Sequence, residues 1–182
     1  ADTAACQSGT AALHLSLIDA GVGPGDVVLV PPLTFIAAVN PVKYQSAVPV
    51  FIDSETETWN MSPQALELAF DKYAKMGRRP KAVIVVHLYG ISAKIAEIKE
   101  ICGRYQVPLI EDAAESLGTV YQGRYTGTFG DYGIISFNGN KIITSSGGGM
   151  LLVNTEDAQE KAQKVLYWAT QAREPAPWYQ HT

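Results

Sequence analysis

The sequence predicts an α/β domain built on a mostly parallel sheet, and three observations lead there. Short Val- and Ile-rich runs alternate with longer stretches of helical period, the pattern of strands joined by helices. The runs at residues 27–30 and 82–86 are apolar at every position, as buried strands are. With 182 residues, 47% of them hydrophobic and 18% charged, the chain can bury one sizeable core.

In order, residues 3–6 read as a short strand, and Gln7-Ser8-Gly9-Thr10 leads into a helix. Its apolar positions Ala12, Leu13, Leu17 and Ala20 recur at helical spacing, and the Gly21 to Gly25 stretch with Pro24 stops it. Residues 26–30 form a buried strand bounded by Pro31-Pro32. A second helix spans residues 34–46, with Pro41 as an irregularity. Residues 48–52 make the next strand, and 53–60 a polar loop. Ser62-Pro63 opens a third helix, serine as N-cap and proline at the first helical position, with Leu66, Ala69 and Phe70 as its apolar stripe. A fourth strand follows at 81–87. Ile95, Ile98, Ile101 and Cys102 then mark a helix whose wet side carries Lys94, Glu97, Lys99 and Glu100. Residues 107–110 make a fifth strand that runs straight into Glu111-Asp112. Beyond it come short strands and glycine turns, then two apolar segments, 133–137 and 150–153, on either side of a polar loop. From residue 157 to about 172 a charged helix is expected to leave the domain.

The formal net charge of -4 gives no reason to expect nucleic acid or an anionic membrane as partner. No apolar run approaches the roughly 20 residues of a membrane span. Cys6 and Cys102 stand in no metal-type spacing; they fit a reduced cytoplasm and read as small buried residues.

Lys141 stands out among the lysines. It sits in a short polar loop between two apolar segments, followed by Gly147-Gly148-Gly149, whereas the others belong mostly to charged helix faces or loops. Apolar, glycine-rich flanks favour a neutral amine, so Lys141 reads as a nucleophile able to carry a Schiff base. Asp112 ends an apolar strand, where open α/β sheets bind ligands; a helix N-cap is the plainer alternative. Ser8-Gly9-Thr10 opens a helix with a glycine for close approach and hydroxyls to donate, a start suited to a phosphate, though equally an ordinary helix start. It matches neither a dinucleotide fingerprint nor a P-loop. Ser136, five residues before Lys141, could reach the same phosphate. Phe35 offers an aromatic face or a core ring, and His87 reads as a satisfied structural histidine.

These residues fall within motifs that resemble one family. Ser8-Gly9-Thr10-Ala11-Ala12-Leu13-His14-Leu15, Gly23-Pro24-Gly25-Asp26, Pro31-Pro32-Leu33-Thr34-Phe35 and Val86-His87-Leu88-Tyr89-Gly90 come first. Glu111-Asp112-Ala113-Ala114-Glu115-Ser116-Leu117-Gly118, Gly127-Thr128-Phe129-Gly130-Asp131 and Ser136 to Lys141 follow. In this order and over most of the chain they resemble the DegT/DnrJ/EryC1/StrS family of pyridoxal-phosphate sugar aminotransferases. The resemblance implies a three-layer, fold type I large domain with a mainly parallel sheet. It also implies roles. Lys141 would carry the cofactor covalently and shuttle the substrate proton, and Asp112 would pair with the pyridine nitrogen. Gly9, Thr10 and Ser136 would hold the phosphate, and Phe35 would stack on the ring. Glu115 takes a place beside the ring hydroxyl where relatives often have Gln or His.

The resemblance further implies transfer of an amino group from glutamate to a nucleotide-linked 4-keto-6-deoxy sugar. Asn138-Gly139-Asn140-Lys141, Glu115 and residues 171–177 most resemble the branch acting on UDP-linked sugars. A cytoplasmic homodimer is implied. The opening on Ala-Asp-Thr and the end at Tyr179-Gln180-His181-Thr182 read as cut ends. Residues 1–155 are then expected to be the cofactor-binding domain, shortened at its N-terminus, and 156–182 a helix and linker toward an absent C-terminal domain. A cofactor-binding regulator without transaminase activity is the competing expectation; a lyase or desulfurase of the same fold lacks a suitably placed cysteine.

Overall fold

Val27–Val30 (β2), Ala82–Val86 (β4) and Tyr132–Ser136 (β8) are buried at every position, which requires a sheet covered on both faces. The computed structural model, which describes residues 1–181, supplies that cover. Asp2–Cys6 (β1), Val48–Phe51 (β3), Leu109–Asp112 (β5) and Gly149–Val153 (β9) complete a seven-stranded sheet of order β1-β9-β8-β5-β4-β2-β3. Pairing is parallel from β8 through β5, β4 and β2 to β3 and antiparallel at β1–β9 and β8–β9. Val120–Tyr121 (β6) and Arg124–Tyr125 (β7) form a separate small hairpin.

Helices pack on both faces, giving the three layers. Gly9–Asp19 (α1) and Asn40–Tyr44 (α2) lie on one side, with Ala12, Leu13 and Leu17 packed among Val28, Ile84, Ile110 and Ile134. Pro63–Lys75 (α3) and Ile95–Tyr105 (α4) cover the other, where Leu66, Phe70, Ile95 and Ile98 meet Leu29, Val83, Val85 and Leu109. The serine caps form as the sequence implies. Ser8 Oγ accepts from the Ala11 N–H at 3.0 Å and Ser62 Oγ from Ala65 at 3.1 Å, each satisfying a donor that the first helical turn leaves free.

Two stretches differ from expectation. The helix predicted over 34–46 is a 3-10 turn at Ile36–Ala38 followed by the single-turn α2, with Pro41 in its first turn. Proline lacks the N–H that a continuous helix would need there. The charged helix, Ala158–Ala169 (α5), does not simply leave the domain. Ala158, Ala162 and Val165 lie at the i, i+4, i+7 positions of one face and are buried against β1, β9 and α1. Among the described residues no helix is long and apolar enough to cross a membrane. Thr182, the last residue of the predicted linker, lies outside the described residues.

Candidate active site

Parallel strands place their carboxyl ends on one side of the sheet, and here a cavity of about 570 Å³ opens at that edge. Val86, Asp112 and Ser136, the last residues of β4, β5 and β8, line it together with Ser8, Gly9 and Thr10 at the start of α1. Phe35, Tyr89, Glu115 and Lys141 stand around them. All seven site residues singled out in the sequence (Gly9, Thr10, Phe35, Asp112, Glu115, Ser136 and Lys141) therefore face one space.

The helix start is held close by shape. A Cβ on Gly9 would lie 3.0 Å from Ser136 Cβ, so only glycine lets α1 and the end of β8 meet without one giving way. Gly149 is tighter still: a Cβ there would fall 2.3 Å from the Ser8 carbonyl carbon. Gly148 donates its N–H to the Gln7 carbonyl at 3.0 Å, which fastens the glycine run to the same turn. The free N–H groups of the first turn of α1, an 11-residue helix, thus point at a site walled by Ser136.

Lys141 reaches the opposite wall. Its ammonium lies 3.6 Å from Glu115 Oε1, and Glu115 Oε2 accepts from the Tyr89 N–H at 2.9 Å. The expectation of an apolar surrounding does not hold, because the amine faces a carboxylate while Ile142 and Ile143 point outward, 62% and 60% exposed. Asp112 Oδ1 accepts from the Ala114 N–H at 3.1 Å. Burial pushes the Asp112 carboxyl above its ordinary pKa; the Ala114 N–H and Lys141 pull it back, and Glu115 pushes it further up. Phe35 is 73% exposed at the rim, so it is not the core aromatic that local sequence allowed. His87 is fully buried and paired with Glu111 at 2.9 Å, the structural role expected of it.

Sequence reading did not single out Tyr89, whose backbone φ of 52° puts a non-glycine residue in the left-handed region beside Glu115. A Tyr-Gly pair shortly after a strand was the available signal. Glu111 was likewise passed over, although a carboxylate inside the run Leu109-Ile110-Glu111 needs partners wherever it is buried.

The residues that line the cavity are of the kinds pyridoxal phosphate would need: a helix start and a serine that could take a phosphate, an acid that could meet the ring nitrogen, an amine and an aromatic at the rim. Glycine at position 9, whose Cβ would lie 3.0 Å from Ser136 Cβ, lets the helix start and that serine, the two groups suited to a phosphate, stand side by side. Comparisons with known proteins give the family. EpsN of Bacillus subtilis (strain 168), provisionally named a pyridoxal phosphate-dependent aminotransferase, is 60% identical over 179 residues, 98% of this chain and 45% of that protein. GDP-perosamine synthase of Escherichia coli O157:H7 is 44% identical over 155 residues, 85% of this chain and 41% of its own length. Among solved structures, a DegT DnrJ EryC1 StrS aminotransferase from Brucella abortus superposes with a TM-score of 0.90 at 34% identity, covering 100% of this chain and 48% of that one. The chain thus spans about half the length of the relatives it matches. The sequence profile of the DegT/DnrJ/EryC1/StrS aminotransferase family matches residues 1–181, and this chain belongs to that family.

Proposed function

We propose that the protein carrying this chain is a pyridoxal-phosphate aminotransferase that moves an amino group from glutamate to a nucleotide-linked 4-keto-6-deoxy sugar. The observation that carries this is the convergence of Lys141, Asp112 and the α1 start on one cavity. Bound there, the cofactor would supply an electron sink for a carbanion and a carrier for the amino group. The first turn of α1 and Ser136 would hold its phosphate, and Phe35 would cover one face of its ring. Asp112 would keep a proton on the ring nitrogen; its enclosure raises the proton affinity of that carboxyl until a cationic partner arrives. Lys141 would hold the cofactor covalently at rest and, once released, carry the proton at the substrate carbon. Glu115, already against the amine, would keep Lys141 nearby while it is free.

A UDP-linked sugar is the form we favour, on the Asn138-Gly139-Asn140-Lys141 loop and Glu115. The relatives named GDP-perosamine synthase, at 44% and 45% identity, make a GDP-linked sugar the comparison to run. We further infer a homodimer working in the cytoplasm, consistent with the exposed apolar rim of Leu33, Phe35, Ile36, Ile142 and Ile143 around the cavity mouth.

The full-length protein, reconstituted with pyridoxal phosphate, should turn yellow, and glutamate should shift its spectrum. Offered UDP- and GDP-linked 4-keto-6-deoxy sugars in turn, it should aminate the UDP form in preference, as read by product mass. A colourless protein would defeat the cofactor assignment. A coloured protein indifferent to glutamate and glutamine would favour a binding-only regulator.

A further inference from the structure

Glu111 is a buried acid that the proposed chemistry does not use. It precedes Asp112 in β5, so the two carboxylates leave opposite faces of the sheet, and Glu111 is 0% exposed. Four donors converge on it. Oε1 accepts from the backbone N–H groups of Phe129 at 2.6 Å and Gly130 at 2.5 Å, and Oε2 from Gly127 at 2.8 Å. His87 supplies the fourth: its Nδ1 accepts from the Ala93 N–H at 3.1 Å, so the ring hydrogen sits on Nε2 and is donated to Glu111 Oε2 at 2.9 Å. Such a set is what a carboxylate needs to remain in a dry interior.

The donors belong to segments that lead back to the cavity. Next to Gly127, Thr126 Oγ1 donates to the Ser116 carbonyl at 3.0 Å and pairs with the Ser116 hydroxyl at 2.8 Å. Ser116 in turn donates its N–H to the Ala113 carbonyl at 3.1 Å. Between these two lie Ala114, whose N–H holds Asp112 Oδ1, and Glu115, which faces Lys141.

We propose that Glu111, oriented by His87, is a positioning residue for Asp112 and Glu115. It fixes the turn at residues 127–130, that turn fixes the loop at 113–116, and the loop aims both cavity carboxylates. The inference rests on the cavity being the pyridoxal-phosphate site.

Glu111→Gln in the full-length protein tests it, because an amide cannot accept from all four donors and must turn its NH2 toward one pair of them. Amide hydrogen exchange of the cofactor-free protein should show Ala114 opening about tenfold faster or more, with Leu66 in α3 unchanged. With cofactor, kcat should fall by about tenfold or more while the KM for the amino donor stays within about twofold. The proposal is overturned if the amides of Gly127, Phe129 and Gly130 speed up while Ala114 and kcat keep their wild-type values. If Glu111→Gln does not fold, His87→Asn takes the imidazole donor from Glu111 and the acceptor from the Ala93 N–H but leaves the three backbone donors, and unchanged Ala114 exchange in that variant overturns the proposal equally. A wild-type protein that takes no colour refutes the cofactor reading, whereas the exchange of Ala114 still reads the coupling.

Discussion

Gly149→Ala is the perturbation whose effect follows most directly from the geometry. Gly149 pairs with Cys6 on one side and Ser136 on the other, and its α-carbon sits under the Ser8–Gly9 peptide. An added Cβ would lie 2.3 Å from the Ser8 carbonyl carbon and 2.5 Å from the Gly9 nitrogen, where ordinary contact begins at 3.4 Å. Both neighbours are backbone, so one segment must move by about 1 Å; overpacking of this kind costs about 1–3 kcal/mol. β9 is held by β1 and β8 on both sides, and the α1 start is the freer partner. The displacement should therefore appear at Ser8 and Gly9, where the phosphate is expected to bind.

If the full cost falls on binding, cofactor affinity drops about 5- to 150-fold. A spectroscopic titration of the cofactor-free protein measures it directly, and thermal unfolding of the same sample shows how much is lost without cofactor. Gly139→Ala is the control. It lies in the same loop as Lys141, yet a Cβ there meets nothing within 4 Å. A Gly149→Ala protein that binds pyridoxal phosphate as tightly as Gly139→Ala would refute the link between the glycine run and the phosphate site.

Three further outcomes follow. Lys141→Ala should abolish the covalent cofactor link but retain non-covalent binding through the α1 start, with turnover down about 10²- to 10⁴-fold; absorbance after borohydride reduction and denaturation separates the two. Asp112→Asn should lose turnover on a similar scale yet stabilise the cofactor-free protein at neutral pH. The folded carboxyl binds its proton more tightly than the ordinary value of 3.8, so stability falls as pH rises through the window above that value and stays lowered beyond it. The asparagine variant should show no such fall in a series of melts across pH. Ser62→Ala removes the cap of α3, far from the cavity, and should cost about 1 kcal/mol with cofactor affinity unchanged; urea unfolding beside a cofactor titration checks both.

Much of the fold was legible because its signals are local. The apolar runs that became β2 and β4, the Ser62-Pro63 start of α3 and the strand-end position of Asp112 each depend on a few adjacent residues. What escaped depends on partners distant in the chain. The burial of Ala158, Ala162 and Val165 was written at helical spacing, but the charges between them obscured it, and nothing local named β1 and β9 as the surface they cover. Local sequence favoured the core for Phe35, yet it stands exposed at the rim, because its place is set by where the loop after β2 lies against the cavity. The carboxylate facing Lys141 was also out of reach, because Glu115 and the lysine lie in separate loops brought together by the β5–β8 pairing.

The lysine loop and the proposed phosphate cradle share their anchors. The loop leaves the sheet at Ser136 and re-enters it at Gly149, and these two residues are paired partners across β8 and β9. Just before re-entry, Gly148 forms a parallel bridge with Ser8, the cap of α1. The segment that presents Lys141 is therefore clamped at both ends by residues at or beside the proposed phosphate site. Movement of the α1 start displaces the loop, and movement of the loop displaces the α1 start. A substitution at Gly149, 8 positions beyond the lysine, should thus weaken cofactor binding from outside the proposed site.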